Sequence, residues 1–102
     1  MIYVIATIET AEGKREDFLK ECRKIIPKVL AEKGCLEYGP TIDVATQIPI
    51  QIPLRENVVT LIEKWENVAT LMIHLTVPHM LDYRKRVQKL ITAVQIQVLE
   101  KA

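Results

Sequence analysis

The residues best suited to chemistry are concentrated in one short stretch of the chain. Glu63, the single tryptophan Trp65, and both histidines, His74 and His79, lie within seventeen positions. Imidazole titrates near neutral pH, so two histidines close to a carboxylate are typical of proton transfer. Structural roles are the alternative, because a strand tryptophan is usually core and a single histidine is more often solvated or a cap. Which of these holds depends on the elements that carry the four residues.

Metal and cofactor sites are not expected. The histidines are five positions apart across a proline-containing turn, so they do not share one helical face for a zinc site. Cys22 and Cys35 form no CxxC or other metal spacing. With only three glycines, the chain has no phosphate-binding loop, and it contains no nucleotide or flavin motif. We therefore expect no metal, nucleotide or flavin.

The periodicity of apolar residues predicts four strands and three helical segments. The first strand, an apolar run, is expected to be buried on both faces. One long helix begins near Lys14, kinks near residues 23–26 because of Pro27, and stops at Gly34. The later helices are predicted from an Asn67 cap and from Pro78, the latter with Thr76 as its cap. The remaining ranges are 2–9, 36–45, 58–66 and 91–99 for strands, and 68–75 and 78–90 for helices.

These elements bring the candidate residues together. Alternation along the third strand puts Glu63 and Trp65 on one face. His74 falls near the end of the short helix and His79 in the first turn of the next, where the helix dipole favours a neutral imidazole that could act as a base. Tyr38, from the second strand, could reach the same space or simply pack. For Glu63 the alternative is a structural ion pair, for example with Arg84.

The order β-α-β-β-α-β predicts an α+β, ferredoxin-like split βαβ fold in one domain over residues 1–102. It has a four-stranded antiparallel sheet with helices on one face. The other face must be covered, and 49% hydrophobic residues is high for a small monomer. We therefore expect a homodimer, or a higher homo-oligomer, with the sheets packed face to face. The segment 46–57 contains three isoleucines and two prolines, and we expect it to be an arm lying on the partner.

Net charge and hydropathy limit which partners and which cellular location we expect. The net charge is +1, and the basic cluster around Arg84–Lys89 is expected to be a solvated helix face, so no nucleic-acid partner is predicted. The longest uncharged run is too short to span a bilayer, and the N-terminus lacks the features of a signal peptide. We expect a cytoplasmic protein with no membrane partner, acting on a small molecule.

Several segments, taken in order, resemble the antibiotic biosynthesis monooxygenase domain family. They are Glu12-Gly13-Lys14 with Phe18, then Glu32 to Tyr38, Glu63-Lys64-Trp65, and His74 with Pro78-His79. The resemblance spans nearly the whole chain. It implies a dimeric α+β barrel with a pocket in each subunit between sheet and helices. It also implies oxidation of quinols or phenols by O2 without metal, flavin or haem.

The same resemblance implies roles for individual residues. His79 or His74 would be the base that removes a phenolic proton, Glu63 would orient it, and Trp65 and Tyr38 would form walls that stack on the substrate ring. Haem breakdown is disfavoured, because Arg84 stands where haem-degrading relatives carry an iron-ligating histidine. Two other functions stay open: an isomerase of a small oxygenated metabolite, of the autoinducer-2 degrading type, and a dimeric ligand-binding module without catalytic activity.

Overall fold

The computed structural model describes all 102 residues and contains one antiparallel sheet and three helices. The strands pair in the order β2-β3-β1-β4, and every neighbouring pair is antiparallel. This is the predicted α+β fold, with the helices on one face of the sheet. The sheet is open, so the chain alone forms no closed barrel. The elements are β1 Ile2–Thr10, α1 Arg15–Leu30, β2 Cys35–Thr41, β3 Val58–Trp65, α2 Val68–His74, α3 Pro78–Val87 and β4 Ile91–Leu99.

Strand β1 is central but is buried on only one face. Its even-numbered residues, from Ile2 to Thr10, are buried beneath the helices, while Tyr3, Ile5 and Thr7 are half-buried. The expectation of burial on both faces is therefore wrong for the single chain. The reason is that the helices cover one side of the sheet and no element of the same chain covers the other.

Helix α1 supplies most of the helical side of the core. Its apolar positions recur at steps of three and four, so Phe18, Cys22 and Val29 all face the sheet and are almost fully buried. Pro27 lies inside the last turn, and the helix continues through it as one element. None of the three helices combines the length and the apolar composition needed to cross a membrane.

The connection between β2 and β3 differs from the predicted pattern. Strand β2 stops at Thr41 rather than continuing to residue 45, and residues 42–57 contain no strand. The Asp43 carboxylate accepts hydrogen bonds from the Arg55 guanidinium at 2.8 and 2.9 Å and from its backbone N–H at 2.9 Å. These bonds join the two ends of the connection. We call residues 42–57 the arm.

The short helices begin as their sequences suggest, with one exception. The Asn67 side chain accepts a hydrogen bond from the Thr70 N–H at 2.9 Å and so caps α2. Pro78 is the first residue of α3, but Thr76 does not cap it. The Thr76 hydroxyl instead donates to the Ile73 carbonyl of the preceding helix, and Val77 occupies the cap position without a side-chain bond.

The turn between α1 and β2 depends on Gly34. Its φ of +85° lies in the left-handed region, and an added Cβ would come within 2.5 Å of the Thr70 Cγ2. The Gly34 carbonyl also accepts a hydrogen bond from the Glu66 N–H at 2.8 Å. The turn is therefore pressed against the start of α2, which fixes the position of Glu32 two residues before it.

Replacing Gly34 by alanine is expected to lower the free energy of unfolding by about 2 kcal/mol or more, because backbone strain and a steric overlap act together. Gly13→Ala isolates the strain, since its φ is +74° with nothing within 4 Å, and should cost only about 1 kcal/mol. Gly39→Ala meets neither obstacle and serves as the control. Urea unfolding of the three variants checks this order, and equal losses at positions 13 and 34 would contradict it.

Candidate active site

A cavity of about 450 Å³ lies between the helix side of the sheet and helices α2 and α3. Most of its wall is apolar, with contributions from α1, β1, β3 and β4. A few polar side chains interrupt this wall, which is the usual composition of a small-molecule site. They are Tyr38, Glu63, His74, Tyr83, Arg84 and Gln88.

Glu63 is a buried carboxylate on the cavity wall. One of its oxygens accepts a hydrogen bond from the Trp65 indole N–H at 2.9 Å, and the other has no partner in the chain. Burial raises the pKa of Glu63 above its usual value of 4.5, although the Trp65 bond and the nearby His74 oppose this shift. Neither Arg84 nor any other cation pairs with it, so the alternative of a structural ion pair is wrong.

His74 is held rigidly at the inner end of the cavity, with only 2% of its side chain exposed. Its Nδ1 lies 2.9 and 3.1 Å from the two carboxylate oxygens of Glu32. The imidazole ring packs against Trp65 at 4.6 Å between centroids and meets the ring of Tyr38 edge-on at 5.7 Å. Its Nε2 has no hydrogen-bond partner in the chain, so this nitrogen is free to bind a group in the cavity.

His79 is on the far side of Glu32 and does not line the cavity. Its Nε2 lies 2.7 Å from the same Glu32 oxygen that His74 contacts, and 22% of its side chain is exposed. The two histidines expected to share one site are thus brought together by a carboxylate, but only one of them faces the cavity.

The two aromatic residues expected as walls have different positions. Tyr38 lines the cavity, and burial raises the pKa of its phenol, so it stays protonated at neutral pH. Trp65 is fully buried behind His74 and supports the imidazole instead of the cavity wall. Its contribution is to orient two polar groups, Glu63 through its N–H and His74 through its ring.

Glu32 is the residue that sequence reasoning missed. It is 42 and 47 positions away from the histidines that it joins, and no local pattern signals such a contact. Arg84 also lies on the cavity wall, where its guanidinium donates to the Leu75 carbonyl. No group of three or more His, Cys, Asp or Glu side chains is arranged to hold a metal ion.

The arrangement suits the removal of a proton from a bound ligand. A free imidazole nitrogen and a carboxyl group with a raised pKa both belong to a mostly apolar cavity, where charge interactions are stronger than in water. The Tyr38 ring adds an aromatic surface. A flat, partly apolar molecule with an ionisable hydroxyl group matches these features.

The raised pKa of Glu63 predicts how stability depends on pH. Between the ordinary value of 4.5 and the higher folded value, the folded state binds more protons than the unfolded state, so stability falls as pH rises through this window. Glu63→Gln keeps an acceptor for the Trp65 indole but cannot ionise. We expect the variant to lose this decline in urea unfolding above pH 4.5. An equal decline in both proteins would show that Glu63 is not its source.

Comparison with known proteins identifies relatives of this chain. The sequence model described as antibiotic biosynthesis monooxygenase matches residues 1–86. An Escherichia coli (strain K12) protein named "Probable quinol monooxygenase YgiN" is 37% identical over 102 residues, covering 98% of this chain and 97% of the relative.

Solved structures share the fold. PA3566 from Pseudomonas aeruginosa has a TM-score of 0.81 at 28% identity, covering 99% of this chain and 93% of that one. Rv0793 from Mycobacterium tuberculosis has a TM-score of 0.80 at 24% identity, covering 99% and 94% of the two chains. The family match and the full-length relative lead to one conclusion: this chain belongs to the antibiotic biosynthesis monooxygenase family.

Proposed function

We propose that the protein is a cofactor-independent monooxygenase that oxidises a small quinol or phenol with O2. The observation that carries the proposal is the free Nε2 of His74 in a mostly apolar cavity of about 450 Å³. Membership of the family and the name of the E. coli relative support the same reaction class. In the overall reaction, one oxygen atom enters the product, and the other leaves as water with two hydrogens from the substrate, which supplies all the electrons.

The proposed reaction begins with a proton transfer. His74 Nε2 accepts the proton of a substrate hydroxyl group, leaving a phenolate whose electrons are more easily given to O2. The apolar wall limits water near this anion, and the Tyr38 ring packs against the substrate. Burial raises the pKa of Glu63, and one of its carboxyl oxygens has no partner in the chain, so this oxygen is available for a hydrogen bond with a substrate oxygen when the group is protonated.

A comparison of the two histidines tests this proposal. With a reduced naphthoquinone as substrate, His74→Ala is expected to lower kcat by roughly 10²–10⁴-fold, the usual contribution of a general base. His79→Ala, the same change outside the cavity, should cost clearly less. The measurement is O2 uptake, corrected for the spontaneous oxidation of the quinol.

Three results would count against the proposal. Equal losses in both variants would mean that His74 has no special role as the base. Saturable binding of quinols without O2 uptake by the wild-type protein would indicate a ligand-binding module. Conversion of a small oxygenated metabolite without O2 consumption would indicate an isomerase.

We also propose that the chain forms a homodimer, with the open sheet faces packed together and the arm extended over the partner. The chain leaves two apolar surfaces uncovered. The arm exposes four isoleucines, with Ile50 91% exposed, and strand β4 exposes Val94, Ile96 and Val98 on the helix side of the sheet. Because β2 and β4 are opposite edges of the sheet, the arm that follows β2 is best placed to cover the β4 of another copy. Val94 also lines the cavity, so such an arm would help to close it.

Placing a charge on the arm tests the dimer. The wild-type protein should elute with about twice the 11.7 kDa mass of the chain in size-exclusion chromatography with light scattering. Ile50→Asp should shift it toward the monomer, because an aspartate in an apolar interface loses its water without gaining a partner. Ile73→Asp, an exposed isoleucine on α2, is the matched control. A wild-type monomer, or an unchanged Ile50 variant, would contradict the arm's role.

A cytoplasmic setting is part of the proposal. Both cysteines are free thiols, as is usual in a reducing compartment. Cys22 is fully buried, and burial raises the pKa of Cys35 to about 11, so neither thiol is activated for chemistry.

A further inference from the structure

The Glu32 carboxylate lies within hydrogen-bond distance of both histidines of the chain, and neither Glu32 nor His79 lines the cavity. We propose that Glu32 is a positioning residue that keeps the proton of His74 on Nδ1, leaving Nε2 unprotonated toward the cavity, and that His79 holds Glu32 in place. This inference rests on the proposed function, because it concerns the residue given the role of base. It makes His79 a support for Glu32, whereas the family resemblance implies that His79 or His74 is the base.

The hydrogen-bonding capacity of each group determines which nitrogen carries the proton. An ionised carboxylate only accepts hydrogen bonds, so each imidazole nitrogen that contacts Glu32 must carry a proton. A neutral imidazole carries its proton on one nitrogen only. The contact at His74 Nδ1, 2.9 Å from Glu32, therefore leaves Nε2 with a lone pair. A carboxylate that orients a histidine in this way is also what makes the histidine an effective base in serine proteases.

The groups around Glu32 hold its carboxylate against the two histidines. The Glu32 N–H donates to the Val29 carbonyl at 3.0 Å, and Gly34, with its left-handed φ, completes the turn. Only 10% of the Glu32 side chain is exposed, and no lysine or arginine pairs with it. The histidines are consequently its only partners.

The charges around the cluster come from four elements. Glu32 is on the turn after α1, His74 is on α2 and His79 is on α3. The carboxyl group of Glu63 on β3 faces the same region. Strand β2 adds the uncharged Cys35 and Tyr38, whose pKa values are raised partly by Glu32 and Glu63. His74 becomes positively charged when it accepts a substrate proton. The Glu32 carboxylate, at hydrogen-bond distance, stabilises this charge.

The role of His79 follows from the shared oxygen. At 2.7 Å its contact with Glu32 is the shorter one, and it fixes the oxygen that also accepts from His74. His79 does not touch the cavity, so it acts on the substrate only through Glu32 and His74. If Glu32 and the histidines formed only a structural ion pair, the distances would be the same. The test therefore needs a measurement that does not depend on the stability of the protein.

The direct test is the tautomer of His74, measured by ¹⁵N NMR of the imidazole nitrogens at neutral pH. The wild-type protein should show a protonated Nδ1 and an unprotonated Nε2. Glu32→Ala removes the acceptor and should move protonation toward Nε2. Glu32→Gln keeps the oxygen that both imidazoles contact, but it removes the negative charge and puts an amide NH₂ donor in place of the oxygen that lies 3.1 Å from the His74 Nδ1, so the signals of His74 should change. Glu37→Ala, an exposed carboxylate whose side chain makes no hydrogen bond, is the control.

Quinol oxidation provides the second measurement. Glu32→Ala and Glu32→Gln are expected to lower kcat at least tenfold with little change in KM, because the base and not the binding surface is altered. His79→Ala should lower kcat less, and the Glu37 control should not change it. If Glu32→Ala does not fold, the Gln variant alone still decides the outcome.

The failures of the two proposals are distinguishable. A wild-type protein that shows the expected tautomer but oxidises no quinol would overturn the proposed reaction, while the arrangement around Glu32 would stand. Wild-type His74 with its proton on Nε2 would overturn the inference. So would Glu32 variants that keep both the wild-type kcat and the wild-type tautomer.

Discussion

The carboxylate of Glu32 connects the elements that form the candidate active site. It accepts hydrogen bonds from α2 through His74 and from α3 through His79, and it is itself fixed by the turn that leads into β2. The sheet also supports His74, because Trp65 on β3 packs against the imidazole ring. One imidazole is thereby held between a carboxylate and an aromatic ring, with its remaining nitrogen free. Without Glu32, the two short helices would share no polar contact with that turn.

Burying polar groups costs free energy that a small domain can hardly spare, and this cost explains how the polar groups of the site are arranged. Only three polar or charged residues are buried among 102, and two of them, Glu63 and His74, line the cavity. An unpaired polar group in an apolar interior costs several kcal/mol. The protein limits this cost by giving each group one fixed partner, Trp65 for Glu63 and Glu32 for His74. Each keeps one atom without a partner in the chain, and the Tyr83 hydroxyl on the cavity wall also has none, so these three atoms are available to a ligand.

The order of elements and the face that carries Glu63 follow from the sequence, because the alternation along β3 and the proline at α3 are local signals. The contact between Glu32 and the histidines is not local, and it depends on how a left-handed glycine directs the turn after α1. The sequence thus indicates which residues gather, but not that His74 faces the cavity while His79 lies behind Glu32. The sequence also does not indicate that β2 ends at Thr41, and the hydrogen bonds between Asp43 and Arg55 that follow it join residues too far apart to be read from a local pattern.

The central claim is that His74 presents a free Nε2 to the substrate. A crystal structure of the protein with a bound phenol that O2 does not oxidise tests it most directly. The account predicts the phenol ring in the cavity beside Tyr38, with its oxygen within hydrogen-bond distance, about 3 Å, of the His74 Nε2. A phenol bound with its oxygen on His79, or outside this cavity, would contradict the account.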